Sequence, residues 1–158
     1  MSDQNAIREA KIKRLQQNLA SIRKIARWTA AELGDEIGVT KQTISNIENE
    51  KTPMNYTQYL AIRTVLSRAE ENEVLQKAVE LLVDCDELEG DEYSQVQVVT
   101  DTIAASAVEG IPMDKLGGLL NFVKVSLPII GGIVAAMIAF KPQAAVGSLA
   151  GQAMKRLK

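Results

Sequence analysis

Lys41, Gln42, Thr43, Ser45 and Asn46 make a run of polar side chains interrupted only by Ile44, with Ile47 closing it. Ile44 and Ile47 lie three residues apart, the spacing that puts both on one face of a helix. In a helix the five polar residues are then kept off the core, and their chemistry suits a nucleic acid. The side-chain amide of Gln or Asn pairs a donor with an acceptor in the arrangement adenine presents in the major groove. Lys reaches guanine edges or phosphate oxygens.

The surrounding elements must hold that run in place. Apolar residues recur at near-helical spacing from Ala6 to Ala26, at Ile7, Ala10, Leu15, Leu19, Ile22 and Ala26. Thr29-Ala30-Ala31-Glu32 is a capping box that opens a second helix carrying Leu33 and Ile37, and Gly38 ends it. Thr40 is positioned to cap the third helix, Lys41 to Glu48. Gly34 allows close backbone approach between the second and third helices. Lys51-Thr52-Pro53 breaks the pattern, and Asn55 with Gln58 caps a fourth helix bearing Tyr59, Leu60, Ile62, Val65 and Leu66. Two short helices around a tight corner, with a supporting helix on each side, is the layout of a helix-turn-helix. A plain helical bundle with a solvated polar face has the same layout, so spacing alone leaves both open.

The residues from Thr29 to Leu66, with Leu19–Arg23 before them, resemble the lambda-repressor-like family, also called Cro-type or XRE. Val39-Thr40-Lys41-Gln42-Thr43-Ile44-Ser45-Asn46-Ile47-Glu48 fits each step of that family's turn and recognition helix. The resemblance covers about 50 of the 158 residues. It implies that Lys41, Gln42, Thr43 and Asn46 face base edges or nearby phosphates. It implies that Thr40, Asn49, Lys51 and Asn55 lie along the phosphate backbone, where contacts set register without reading sequence. Arg23 and Glu48 match the family's buried Arg–Glu pair between the first and third helices. Two positions depart from the family pattern. Ala30 replaces a polar phosphate-contacting residue, and Glu50 stands where Gly is favoured. A left-handed backbone there costs a non-Gly residue about 1 kcal/mol, and a carboxylate repels phosphate.

Charge is segregated along the chain beneath a net −2. Residues 1–68 hold 11 Lys/Arg against 7 Asp/Glu, a net +4; residues 69–114 hold Lys77 against 13 acids, a net −12. Residues 115–158 hold six basic residues and no acid. A basic N-terminal block fits a polyanionic partner. Arg8, Lys11, Lys13 and Arg14 are expected on the solvated face of a lengthened first helix, with a phosphate-contacting arm as the alternative. Trp28 is expected in the core.

Enzyme chemistry is poorly supplied. There is no His, so the commonest general base and metal ligand is missing, and no phosphate-cradling Gly loop precedes a Lys-Ser/Thr. The run Asp84-Cys85-Asp86-Glu87-Leu88-Glu89-Gly90 begins like a calcium loop, but Leu88 takes a ligand position and Gly90 comes one residue late. Cys85 stands alone among carboxylates, which disfavour its thiolate. No catalytic residue, metal or cofactor is expected.

The expected fold is all-α. Residues 1–70 form a four- to five-helix helix-turn-helix DNA-binding domain, residues 71–111 an acidic helical connector, and residues 112–158 an apolar, Gly/Ala-rich helical region. Within the connector, Glu73–Val83 is expected to be helical, Cys85–Glu92 a solvated turn, and residues 94–109 a helix despite strand-like Val96, Val98 and Val99. Leu116–Phe140 carries one charge, Lys124, but Pro128 and Gly131-Gly132 interrupt it and basic residues lie beyond it. Those features favour homo-oligomerisation through 112–158 over a membrane span. The expected function is a cytoplasmic, sequence-specific DNA-binding transcriptional regulator, a repressor by preference, that binds paired half-sites as a dimer or higher oligomer. The alternatives are an antitoxin-like autoregulator holding a protein partner through its C-terminal part, and a membrane-associated assembly protein that uses the helix-turn-helix for protein contacts.

Overall fold

The computed structural model describes residues 2–69, 71–115, 117 and 118. Its elements are α1 (Ser2–Ile25), α2 (Ala30–Ile37), α3 (Lys41–Glu48), α4 (Tyr56–Ser67), α5 (Glu73–Val79), a π-helical turn (Glu80–Asp84) and α6 (Gly90–Val108). All of them belong to one compact unit spanning Met1–Lys124. Among the described residues every regular element is helical, as the sequence patterning requires. None of these helices is long and apolar enough to cross a membrane. The stretch 119–158, with most of the expected oligomerisation region, lies outside the described residues.

The first helix is the common wall of the unit. Ile12, Leu15, Leu19, Ile22 and Ile25 are buried along it. At about 100° per residue, Gln16 and Arg23 share one face, and Arg14, Asn18 and Ser21 share the opposite one. The first face meets α3: Gln16 donates to the Ile47 carbonyl at 3.1 Å, and Arg23 pairs with Glu48. The second meets α6 and the turn before it. Asn18 donates to the Tyr93 hydroxyl at 2.8 Å and accepts from Gln97 at 3.1 Å, and the Ser21 hydroxyl pairs with Asp101.

The acidic stretch expected as a connector is therefore packed against α1. Val96, Val99, Ile103, Ala104 and Ala107 are buried at helical spacing, which decides helix over strand for residues 94–109. The expected helix Glu73–Val83 is α-helical only to Val79. The backbone then widens, the Cys85 amide reaching the Glu80 carbonyl at 2.8 Å. Widening rotates successive side chains, so Leu81, Leu82 and Val83 are all buried. Of the expected turn Cys85–Glu92, only residues 85–89 lie outside a helix, since α6 begins at Gly90; the acids there are exposed, yet Leu88 is 7% exposed. Arg14 donates to the carbonyls of Cys85 (2.6 Å) and Leu88 (3.2 Å) and lies 5.0 Å over the Tyr93 ring. Arg14 is thus committed to the fold and does not belong to the solvated basic face expected of it.

Two apolar expectations shift. Leu60 lies on the side of α4 opposite Ile62 and is 45% exposed. Trp28 is half-buried, lining a surface groove with Glu32, Val65 and Arg68.

Candidate nucleic-acid interface

The corner between α2 and α3 is built from local signals. The Thr29 hydroxyl accepts from the Glu32 amide at 3.1 Å, and the Glu32 carboxylate accepts from the Thr29 amide at 2.6 Å. The Thr29 backbone amide foremost, and the Thr29 hydroxyl after it, hold the Glu32 carboxyl below its ordinary range. At the other end of α2, Gly38 is left-handed (φ 75°) and the Val39 amide returns to the Gly34 carbonyl at 2.9 Å. Gly34 sits where α3 begins: a Cβ on it would lie 2.7 Å from the Val39 carbonyl oxygen. Any side chain there would force the two helices apart. The Thr40 hydroxyl caps α3 through the Thr43 amide at 3.1 Å.

The exposed side of α3 carries the polar run. Ile44 and Ile47 are buried, with Leu33 of α2 beside them in the core. Lys41 and Gln42 are exposed, while Thr43, Ser45 and Asn46 are half-buried. Gln42 and Asn46, one turn apart, are joined directly: the Gln42 amide donates to Asn46 Oδ1 at 2.9 Å. The pair leaves the Gln42 carbonyl and the Asn46 NH₂ for an outside partner. The hydroxyls of Thr40 and Thr43 lie 3.0 Å apart. Asn49 folds back on the helix, donating to the Ser45 carbonyl at 2.7 Å. Asn55 spends its Oδ1 on capping α4 through the Gln58 amide at 2.9 Å. Lys41 and Lys51 make no ion pair among the described residues.

Two groups, one half-buried and one buried, anchor α3 to α1. Arg23 Nε donates to Glu48 Oε1 at 2.5 Å and Arg23 Nη2 to Glu48 Oε2 at 3.0 Å, a fork with side chains 13% and 9% exposed. A third donor, Arg23 Nη1, reaches the Trp28 carbonyl at 2.7 Å and ties the α1–α2 link to the same group. Gln16, absent from the sequence reasoning, is the second anchor. Its NH₂ donates to the carbonyls of Ile47 (3.1 Å) and Thr52 (2.8 Å), and its Oε1 accepts from the Met54 amide at 2.8 Å. One side chain thereby fixes both ends of the loop after α3. The available signal was its place beside Ile12, Leu15 and Leu19: a polar residue on an apolar stripe must find partners inside.

That loop passes through Glu50 at φ 54°. The Lys51 amide closes back on the Asn46 carbonyl at 2.9 Å. Glu50 is exposed, with Asn49 and Lys51 exposed on either side of it.

Among known families, residues 19–60 match the one described as helix-turn-helix. This segment is a helix-turn-helix domain. No curated protein and no solved structure matches the chain. The matched residues run from the last third of α1 into α4, so the helix-turn-helix domain holds the capped corner, α3 and the Arg23–Glu48 fork. Gln16 and most of α1 precede it.

Proposed function

We propose that the chain is a sequence-specific transcriptional regulator, a repressor, that binds paired half-sites on double-stranded DNA as a dimer or higher oligomer. The helix-turn-helix domain makes it a DNA-binding regulator in the general sense. The observation that carries the finer reading is the state of α3: one side is buried, the last turn is held by Gln16 and Arg23, the first turn is capped by Thr40, and the other side presents Lys41 and the joined Gln42–Asn46 amides. A helix so anchored spends little ordering free energy on docking into a major groove. We assign Lys41, Gln42, Thr43 and Asn46 to base edges, and Thr40, Asn49, Lys51 and Asn55 to phosphates. A single helix-turn-helix buries too little surface for tight binding, so we assign the second copy to contacts through residues 112–158.

The test compares duplexes selected by the full chain from a random pool with scrambled duplexes. Gln42→Ala or Asn46→Ala should cost about 1–3 kcal/mol on the selected site and much less on the scrambled one. Lys51→Ala should weaken both alike. Equal responses to all three changes would overturn the assignment of roles.

A further inference from the structure

The structure places a cation beside the loop from outside the helix-turn-helix domain. α1 starts at Ser2, well before residue 19, where the domain match begins. Gln16 presses α1 against the loop after α3, and the helix continues toward its N-terminus for two more turns to Arg8. That is about 12 Å along the axis. The Arg8 guanidinium lies 4.8 Å over the ring of Tyr56, the first residue of α4, which is itself stacked on Tyr59. Tyr56 follows Asn55, one of the residues assigned above to phosphate. Lys11 lies one turn from Arg8 on the same side of α1.

Arg8 differs from its counterparts. Among the described residues, Arg23, Arg63 and Arg68 donate to carboxylates, and Arg14 and Arg27 to backbone carbonyls. Arg8 is exposed and rests on an aromatic face. A ring face orients a guanidinium while leaving its N–H fork for a bidentate acceptor, and phosphate is the acceptor that fork matches best.

We infer that Arg8, held by Tyr56, is a phosphate clamp that extends the DNA contact beyond the helix-turn-helix domain onto the flanking backbone. The inference rests on the DNA-binding reading. A phosphate contact carries no base preference and removes one counterion on binding. Arg8 therefore adds affinity and salt dependence on any sequence, provided that the duplex is long enough to reach it.

The experiment measures binding of the full chain to a selected duplex and to a scrambled duplex across a salt series, each also in a version trimmed at the flanks. Arg8→Gln should lower affinity about fivefold on both long duplexes and reduce the log–log salt slope by about 0.9. It should have no effect on the trimmed ones. Arg8→Lys should keep most of the slope. Far-UV circular dichroism and melting should match the unaltered chain, because the side chain is exposed. An unchanged salt slope for Arg8→Gln, or a loss confined to the selected duplex, overturns the clamp while leaving the DNA reading intact. An unaltered chain without salt-dependent binding to either duplex removes the DNA reading and the clamp with it.

Discussion

Gln16 and Ile47, on helices that cross, are joined by a buried hydrogen bond of 3.1 Å from side-chain amide to backbone carbonyl. Because the same amide holds Thr52 and Met54, Gln16→Leu leaves the Thr52 carbonyl and the buried Met54 N–H without their partner, while the Ile47 carbonyl keeps the Glu50 amide at 3.1 Å. The expected cost is about 2–3 kcal/mol. Chemical denaturation would measure it, and hydrogen exchange should show the Met54 amide losing protection first. A variant as stable as the parent would mean that the loop finds other donors.

Glu48→Ala strands the Arg23 guanidinium, whose remaining protein acceptor is the Trp28 carbonyl. An unpaired cation this buried should cost about 3–5 kcal/mol. The double variant Arg23→Met with Glu48→Leu, which removes both charges, should recover a large part of that. A melting shift of only a degree or so for Glu48→Ala would show the fork to be energetically idle.

Glu50→Gly should stabilise the protein. The left-handed backbone disfavours any Cβ by about 1–2 kcal/mol, and the greater unfolded-state freedom of Gly returns part of that, leaving about 0.5–1 kcal/mol. The change also removes a carboxylate between Asn49 and Lys51, so binding to scrambled DNA should tighten. Denaturation midpoints together with binding isotherms check both halves. A loss of stability would contradict the strain argument.

Tyr93 should control alkaline stability. Burial raises its pKa, while the hydrogen bond from Asn18 and the Arg14 charge oppose that rise less strongly. A phenol whose folded pKa is raised contributes stability that is fully present below its unfolded value of about 10 and is lost as pH climbs through the folded value. Tyr93→Phe also strips a partner from Asn18 and from the Leu82 carbonyl. The melting difference between parent and variant should thus be largest near neutral pH and shrink in alkali. Ultraviolet titration should show two late phenols in the parent, since burial also raises Tyr59, and one in the variant. A difference that grows with pH would reverse the assignment.

The helix-turn-helix was legible because its determinants are local. Thr29 with Glu32, Gly38, Thr40, and Asn55 with Gln58 each act within four residues, and each does in the structure what its type and spacing imply. Helix α6 was legible once buried positions at helical spacing outweighed the strand preference of its valines. The packing of α6 on α1 was not. It depends on Arg14, Asn18 and Tyr93 finding partners more than 70 residues away in sequence, and a lone arginine in a basic run carries no mark of that. Gln16 was missed for the same reason, although its position on an apolar stripe was a usable sign. The widened turn at Glu80–Asp84 left no trace beyond three consecutive apolar residues.

Because α1 is lined on opposite sides, a cut near residue 70 should uncover one whole side of it. A fragment ending there would keep the Gln16 and Arg23 anchors. It would also leave Asn18 without Tyr93 and Gln97, deny Arg14 the carbonyls of Cys85 and Leu88, and remove the Asn72 amide from the Ile25 carbonyl. The shortest autonomous chain by this logic extends past Val108. The portable unit of this protein is then larger than its helix-turn-helix domain: a graft that moves only residues 19–60 into another scaffold must supply a substitute for the missing half of the wall.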